Sequence, residues 1–201
     1  MVVFTIITII SGIVLTSQST FNNTLSLSNA AYDIALTLRS AQTYGISSRA
    51  TLDAAVNAGY GLHFENALPG SLTLFADTYP APSIASVCHP TNDASSPNAK
   101  PGNCAYDPDQ GEHVMSYALG NGMLINDFCA FTDGWSCVSS SGLSSLDIVF
   151  LRPNPNPFIG VNGLYSAASA VCLSITSPQG AEKYVSVSAS GQINANAPSC
   201  P

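Results

Sequence analysis

The hydrophobic and polar positions follow two different patterns along the first part of the chain. Residues 2–15, "VVFTIITIISGIVL", are mostly Val, Ile, Phe and Leu and carry no charge. From Phe21 to Ile46, apolar residues recur mostly at steps of three and four among Ser, Asn and Thr, which is the spacing of one helix face. No proline interrupts residues 1–67. The pattern predicts one helix from the N-terminus to about Ser48, apolar all round at first and one-sided afterwards.

After this helix the pattern changes to the alternation of β-strands. "YGLHFE" (60–65) and "SLTLFAD" (71–77) alternate apolar and polar residues around a short loop, which is typical of a hairpin. Residues 169–193 form two more alternating runs about a Pro-Gln-Gly turn, which predicts a second hairpin. Further strands are predicted at 113–119, 122–131 and 144–153, the last ended by "PNPNP". We therefore expect an α+β fold with a long N-terminal helix followed by an antiparallel sheet.

The composition indicates that the protein has no extensive basic surface. Only 8% of the residues are charged, and five Lys and Arg against twelve Asp and Glu give a formal net charge of −7. Extensive contact with the phosphates of a nucleic acid is therefore not expected, although a local contact through Arg39, Arg49 or Lys183 stays open. A surface of Ser, Thr, Asn, Gly and Ala is typical of extracellular proteins that form assemblies.

The cysteines indicate disulfides made in an oxidising compartment. Their even number, their wide spacing and the lack of a C-x-x-C pair favour three bridges over a metal site. Fifteen pairings are possible, and we predict pairing of nearest neighbours because each bridge then closes one loop. Free buried thiols are the alternative. The six residues are Cys88, Cys104, Cys129, Cys137, Cys172 and Cys200.

The sequence contains little that indicates catalysis. The three histidines, His63, His89 and His113, are scattered, and no G-x-S-x-G, H-E-x-x-H or P-loop motif is present. We therefore expect a protein that is not an enzyme.

One short stretch has the composition of a cation site. "YDPDQGEH" (106–113) brings Asp107, Asp109 and Glu112 together on a turn that contains Gly111. Hard oxygen donors at this spacing are able to hold calcium, so calcium is the one cofactor that the sequence suggests. The alternative is a solvated acidic turn.

Four parts of the sequence, in their order and spacing, carry a family resemblance. They are "MVVFTIITIISGIVL", "NAAYDIALTLRSAQTYGISSR", "YGLHFE…LTLFAD", and "LDIVFLRPNP" with "ITSPQGAEKYVSVSASGQI". They resemble the membrane segment, the end of the helix, the first hairpin and the closing strands of the type IV pilin-like proteins, especially the minor pilins and H-type pseudopilins. The resemblance covers most of the chain outside the Cys-rich loops.

The resemblance implies a division of the chain into three parts and a structural function. Residues 1–20 would be the hydrophobic half of the helix, residues 21–50 an amphipathic half packed on the head, and residues 51–201 an antiparallel β head with Cys-rich loops. The protein would be a subunit of a type IV pilus or a type II secretion system. A single-pass helix would hold it in the cell membrane, with the head outside the cytoplasm, on the cell surface or in a filament. Its partners would be other pilin or pseudopilin subunits and the inner membrane with its assembly machinery.

The resemblance also implies which side chains form the assembly interface, namely those of the apolar helix half. Gly12 either loosens this helix or lets a neighbouring helix approach closely. The alternative function is a membrane-anchored extracellular β domain that binds or adheres without polymerising. The expected interface residues are Val3, Phe4, Ile6, Ile7, Ile9, Ile10, Val14 and Leu15.

The start of the chain departs from the family pattern. Family members commonly open with Phe-Ser/Thr-Leu-Ile-Glu-Leu-Met-Val-Val, and Met1-Val2-Val3 matches its last three residues. The resemblance therefore implies that six residues and a short basic leader are missing before Met1. Six more residues would bring the apolar run to about 20, the length that crosses a bilayer.

Overall fold

An N-terminal helix and a series of short strands make up most of the structure. The structure, a computed structural model, describes residues 2–47, 57–82, 88, 95 and 99–200, with residues 13–21 described by their backbone alone. Helix α1 spans Val2–Ser47, close to the predicted end at Ser48. A 3₁₀ turn at Pro108–Gln110 and a four-residue helix α2 at Val138–Ser141 are the other helical elements of the described part. The strands are β1 Gly59–Glu65, β2 Ser71–Asp77, β3 His113–Ala118, β4 Leu124–Phe131, β5 Trp135–Cys137, β6 Ser145–Leu151, β7 Asn154–Val161, β8 Leu164–Ser166, β9 Ala170–Thr176, β10 Glu182–Val187 and β11 Ile193–Ala197.

The strands form two antiparallel sheets. The six-stranded sheet has the order β3-β2-β1-β6-β7-β8, and the five-stranded sheet has the order β11-β10-β9-β4-β5. Both predicted hairpins are present, since β1 pairs with β2 and β9 pairs with β10. The two sheets interleave along the chain, because β4 and β5 of the second sheet come between β3 and β6 of the first.

One hydrophobic core lies between the two sheets, and α1 contributes to it. The buried positions of α1 follow the spacing of one helix face, and they join core residues from both sheets. Phe64 and Ile148 represent the six-stranded sheet in this core, and Leu173 and Val185 represent the five-stranded sheet. The helix residues with the least exposure are Leu27, Ala31, Ile34, Ala35, Leu38 and Ala41.

The predicted fold class, α+β with a long helix packed on one antiparallel sheet, is wrong. The protein is mostly β, with about 40% of the described residues in strands that form two antiparallel sheets. One face of the later half of α1 is buried in a core that both sheets share, instead of lying on the face of a single sheet. Strand alternation predicts which residues face inward, but it does not predict how many sheets the strands form.

Strand β7 is not predicted from the sequence, because its prolines indicate the end of a strand. Asn162 N–H donates to Ser145 O, and the antiparallel register from that pair makes Phe158 and Val149 a hydrogen-bonded pair. The nitrogen of Pro157, one residue away, therefore points away from β6. Strand β8 pairs only with residues 159–161, so a proline is tolerated at this position without the loss of a ladder hydrogen bond.

The disulfides have the predicted nearest-neighbour pairing, which is Cys88–Cys104, Cys129–Cys137 and Cys172–Cys200. The second bridge joins paired positions of β4 and β5. The third fastens the C-terminal segment to β9. Three disulfides in a chain of this size indicate an oxidising setting outside the cytoplasm.

The end of α1 approaches the six-stranded sheet very closely at Gly45. A Cβ atom at this position would overlap the backbone carbonyl of Phe150, whereas a Cβ atom at Gly12 would meet nothing within 4 Å. Backbone atoms cannot move aside as a side chain can. The absence of a side chain at Gly45 therefore permits the contact between helix and sheet.

These two glycines provide a matched test of the helix contact. We expect Gly45→Ala to lower the free energy of unfolding by about 1–3 kcal/mol, the usual effect of overpacking. Gly12→Ala should leave it unchanged or raise it slightly, because alanine favours the helix. The measurement is urea unfolding of the full chain with its disulfides intact. Equal stability of the two variants would show that the close approach at Phe150 does not exist.

Candidate functional site

The N-terminal part of α1 exposes a dense set of apolar side chains. Seven large apolar residues in its first nine positions are between 51% and 76% exposed. They cover more than half of the helix circumference, and Thr5 and Thr8 lie on the remaining side. The seven are Val2, Val3, Phe4, Ile6, Ile7, Ile9 and Ile10.

Six of the eight predicted interface residues therefore lie on this exposed segment. They are Val3, Phe4, Ile6, Ile7, Ile9 and Ile10. The other two, Val14 and Leu15, fall on residues whose side chains lie outside the described part. Among the described residues, no helix combines the length and the apolar character needed to cross a membrane.

The hydroxyl of Thr8, a polar group on the exposed segment, is hydrogen-bonded within the helix. The Thr8 hydroxyl lies 2.9 Å from the carbonyl oxygens of both Phe4 and Thr5, to which it donates. Such bonding back to the preceding turn removes the need for water or for another polar partner. The Thr8 hydroxyl is thus able to leave water without losing a hydrogen bond.

The later half of α1 is fastened to the head by polar contacts as well as by its buried face. Gln42 Nε2 donates to the carbonyl oxygens of Pro155 (3.1 Å) and Gly191 (3.0 Å). Arg39 reaches the carbonyl oxygen of Ile193 at 3.4 Å. Because α1 is one continuous helix, a fixed later half gives the exposed apolar segment a fixed direction at its base.

The three carboxylates of the predicted calcium site have separate environments. Glu112 is 1% exposed, and its Oε1 accepts the backbone N–H groups of Thr78 and Tyr79 at 2.7 and 2.8 Å. Its Oε2 accepts the N–H of Asp107 at 2.8 Å. Asp109 is exposed on the 3₁₀ turn. The groups of the described part that could hold a metal do not include these three residues, so calcium there stays a prediction from sequence.

Glu112 instead organises the loops around it, together with Asp77 at the end of β2. Asp77 is fully buried, and its two oxygens accept the N–H groups of Asn103 and Cys104, each at 2.9 Å. Burial raises the pKa of Asp77 well above its ordinary value, and the neighbouring Glu112 raises it further. Burial also raises the pKa of Glu112 to about 7, against three backbone hydrogen bonds that lower it.

His63 and Asp147 form a second pair of ionisable residues. They lie on the outer face of the six-stranded sheet, which is the face opposite the core. These residues face each other across β1 and β6, and Nδ1 of His63 lies 2.7 Å from Oδ1 of Asp147. Burial raises the pKa of Asp147, while the hydrogen bond from His63 lowers it to a smaller extent. The ring of Tyr106 lies over His63 with a centroid distance of 4.9 Å.

The pair lies at a shallow cleft of about 300 Å³. Its lining residues are His63, Glu65, Tyr106, Pro108, Ser144 and Ser145. Among the described residues, no hydrogen bond joins a serine hydroxyl to the His63 ring. The hydroxyl of Ser144, which lines the cleft, donates to Asn162. Sequence analysis missed this pair because its two residues are far apart along the chain and meet only through the register of β1 and β6.

Comparison with known proteins does not identify a relative. No family model matches the chain, and no curated protein or solved structure matches it at a significant level. The resemblance to type IV pilin-like proteins therefore stays a prediction from sequence.

The buried carboxylates predict how stability changes with pH. Folded Glu112 keeps its proton up to a pH of about 7, whereas an unfolded chain releases it near 4.5. The folded state binds more protons in this window, so the free energy of unfolding falls as the pH rises from about 4.5 to about 7. We expect a loss on the order of 2 kcal/mol between pH 5 and pH 8 from this group. Asp77 and Asp147 act in the same direction.

Urea unfolding of the full chain at the two pH values measures this effect, with Glu112→Gln as the test variant. Asp133→Asn is the control, because Asp133 is an exposed acid on a turn and its loss changes the net charge equally. Glu112→Gln should show a clearly smaller difference between pH 5 and pH 8 than the control. Identical differences in the two variants would contradict the assignment.

Proposed function

We propose that this protein is a structural subunit, a minor pilin or pseudopilin, of a type IV pilus or a type II secretion system. The observation that carries the proposal is the exposed apolar segment at the start of α1. The rest of the same helix is built into the core of a disulfide-bonded head. The segment is an interface for other copies of the chain or related subunits, and the head is the part presented to the outside.

The energetics of the exposed segment favour association. Burying one Val, Ile or Phe side chain stabilises by about 1.5–3 kcal/mol. Seven such side chains, if fully buried, supply about 10–21 kcal/mol, which is comparable with or larger than the roughly 4–15 kcal/mol lost when two molecules become one. The helix satisfies its own backbone polar groups, so it can enter an interior without water.

In this proposal, the subunits are held in the membrane before they assemble. Residues 2–15 span about 21 Å as a helix, less than the roughly 30 Å of a bilayer interior. We propose that the apolar half of α1 lies in the membrane first and is then transferred into a filament. The partners are other subunits and the membrane-bound assembly machinery. The acidic net charge of −7 gives no support to an extensive contact with nucleic acid.

The test compares two substitutions of exposed apolar residues. The double variant Ile6→Asn/Ile10→Asn removes two side chains from the apolar segment, and Leu164→Asn removes one that is 74% exposed on the head. The full chain is purified in mild detergent, the detergent is removed, and the products are measured by sedimentation velocity and electron microscopy. We expect ordered oligomers or filaments from the natural chain and from Leu164→Asn, and at least a tenfold smaller assembled fraction from the double variant.

Two outcomes would overturn the proposal. A natural chain that stays monomeric after detergent removal, but binds lipid vesicles through the apolar segment, would instead be a membrane-anchored binding module. Assembly that persists unchanged in the double variant would place the interface elsewhere on the molecule.

A further inference from the structure

Among the described strands, β3 is an edge of the six-stranded sheet and pairs with β2 alone. Leu119 N–H donates to Gly70 O, and the register of β2 and β3 then makes Tyr117 and Met115 hydrogen-bonded partners of β2. The residues that alternate with them have main-chain N–H and C=O groups that point away from β2. Ser116 and Ala118 thus offer two donors and two acceptors along the free edge, whereas Val114 lies where the register of β2 and β3 shifts.

This edge has only one of the features that usually prevent a strand from pairing further. Natural sheets protect their edges with charged residues, prolines, bulges or very short strands, and β3 has a register shift at its first residues, beside Val114. Strand β3, "HVMSYA", has six residues and contains no Lys, Arg, Asp, Glu or Pro. The other terminal strands of the two sheets are shorter, with three residues in β5 and β8 and five in β11. Among the described strands, β3 is the best template for another strand.

The apolar layer of the core also continues to this edge. Met115 and Tyr117 lie opposite Leu74 and Leu72, which are buried in the core, so all four side chains share one face of the sheet. Met115 is nevertheless 49% exposed. A groove of about 430 Å³ runs between the end of β3 and the later half of α1, and Leu36, Tyr117 and Leu119 contribute to its lining. Both the hydrogen-bond ladder and the apolar layer are therefore incomplete at β3.

The sequence of β3 is complementary to itself. In an antiparallel pair of two β3 strands centred on Ser116, the two Ser116 residues exchange main-chain hydrogen bonds, and Val114 of one copy is opposite the partner's Ala118. Met115 is then opposite the partner's Tyr117, which is a favourable contact of sulfur with an aromatic ring. No formal charge meets a like charge across this pair at neutral pH, in spite of the net charge of −7 on each chain.

We propose that β3 pairs antiparallel with β3 of a second copy of this chain, about a two-fold axis at Ser116, and joins the two six-stranded sheets into one. The partner is a second copy because the strand complements its own side chains and its own hydrogen-bonding positions. This contact uses the head and not the apolar segment of α1, so it goes beyond the proposed function and does not depend on it.

A thiol at the proposed axis tests the pairing directly. In such a pair the Cα atoms at position 116 are about 5.5 Å apart, which is within the usual range for a disulfide. Ser116→Cys is compared with Leu164→Cys, whose site is 74% exposed and lies on β8 at the opposite edge of the same sheet. The full chain is kept in mild detergent, which covers the apolar segment, and is oxidised gently. Peptide mapping confirms that the three native disulfides remain.

We expect Ser116→Cys to form a covalent dimer at least about tenfold faster than Leu164→Cys. The double variant Ile6→Asn/Ile10→Asn combined with Ser116→Cys should cross-link equally fast, which separates this contact from assembly through α1. Cross-linking at position 116 no faster than at position 164 would overturn the proposal.

Sedimentation equilibrium of two further variants tests the main-chain contact. Ser116→Pro removes an outward N–H and leaves the hydrogen bonds to β2 in place, whereas Ser116→Ala removes only the hydroxyl and its contact with His113. Ser116→Pro should raise the dimer dissociation constant at least about tenfold, and Ser116→Ala should leave it within about twofold. Equal dissociation constants would contradict pairing through β3.

Discussion

The burial of one face of α1 between two sheets is the constraint on which the rest of the structure depends. Residues such as Ile34 and Leu38 are fully buried against strands of both sheets. The close approach of Gly45 to the Phe150 carbonyl and the hydrogen bonds of Gln42 fix the helix in position along its length. Because a helix is stiff over several turns, its unburied first half must project from the head. The exposed apolar segment is thus a consequence of how the core is built.

The outer face of the six-stranded sheet is organised by buried acids. Asp77 and Glu112 accept five backbone N–H groups of the neighbouring loops, which satisfies donors that would otherwise be buried without partners. The Cys88–Cys104 bridge joins the same region. Burial of these acids raises their pKa values, and an acid that stays protonated avoids part of the cost of a buried charge. The loops are therefore held most firmly under mildly acidic conditions.

The elements set by local pattern could be predicted from the sequence, and those set by distant pairing could not. The end of α1 and the hairpins β1–β2 and β9–β10 follow from periodicity and turn residues, and the disulfide pairing follows from short loop closure. The division into two sheets depends on strand order, which alternation does not contain. The same limit applies to the acidic turn, since its local sequence does not show that Glu112 accepts hydrogen bonds from the amides of Thr78 and Tyr79. The pairing of His63 with Asp147 likewise depends on the register of two distant strands.

The two proposed contacts differ in symmetry, and the difference limits what each can build. Helix packing through the apolar segment joins different surfaces of successive subunits, so it can repeat without closing and produce a filament. A two-fold contact through β3 uses the same surface on both copies and is complete after two. It cannot lengthen a filament by itself. If both contacts form in one assembly, β3 pairing joins subunits that belong to different helical arrays, and the free edge of the six-stranded sheet serves lateral association while α1 serves growth.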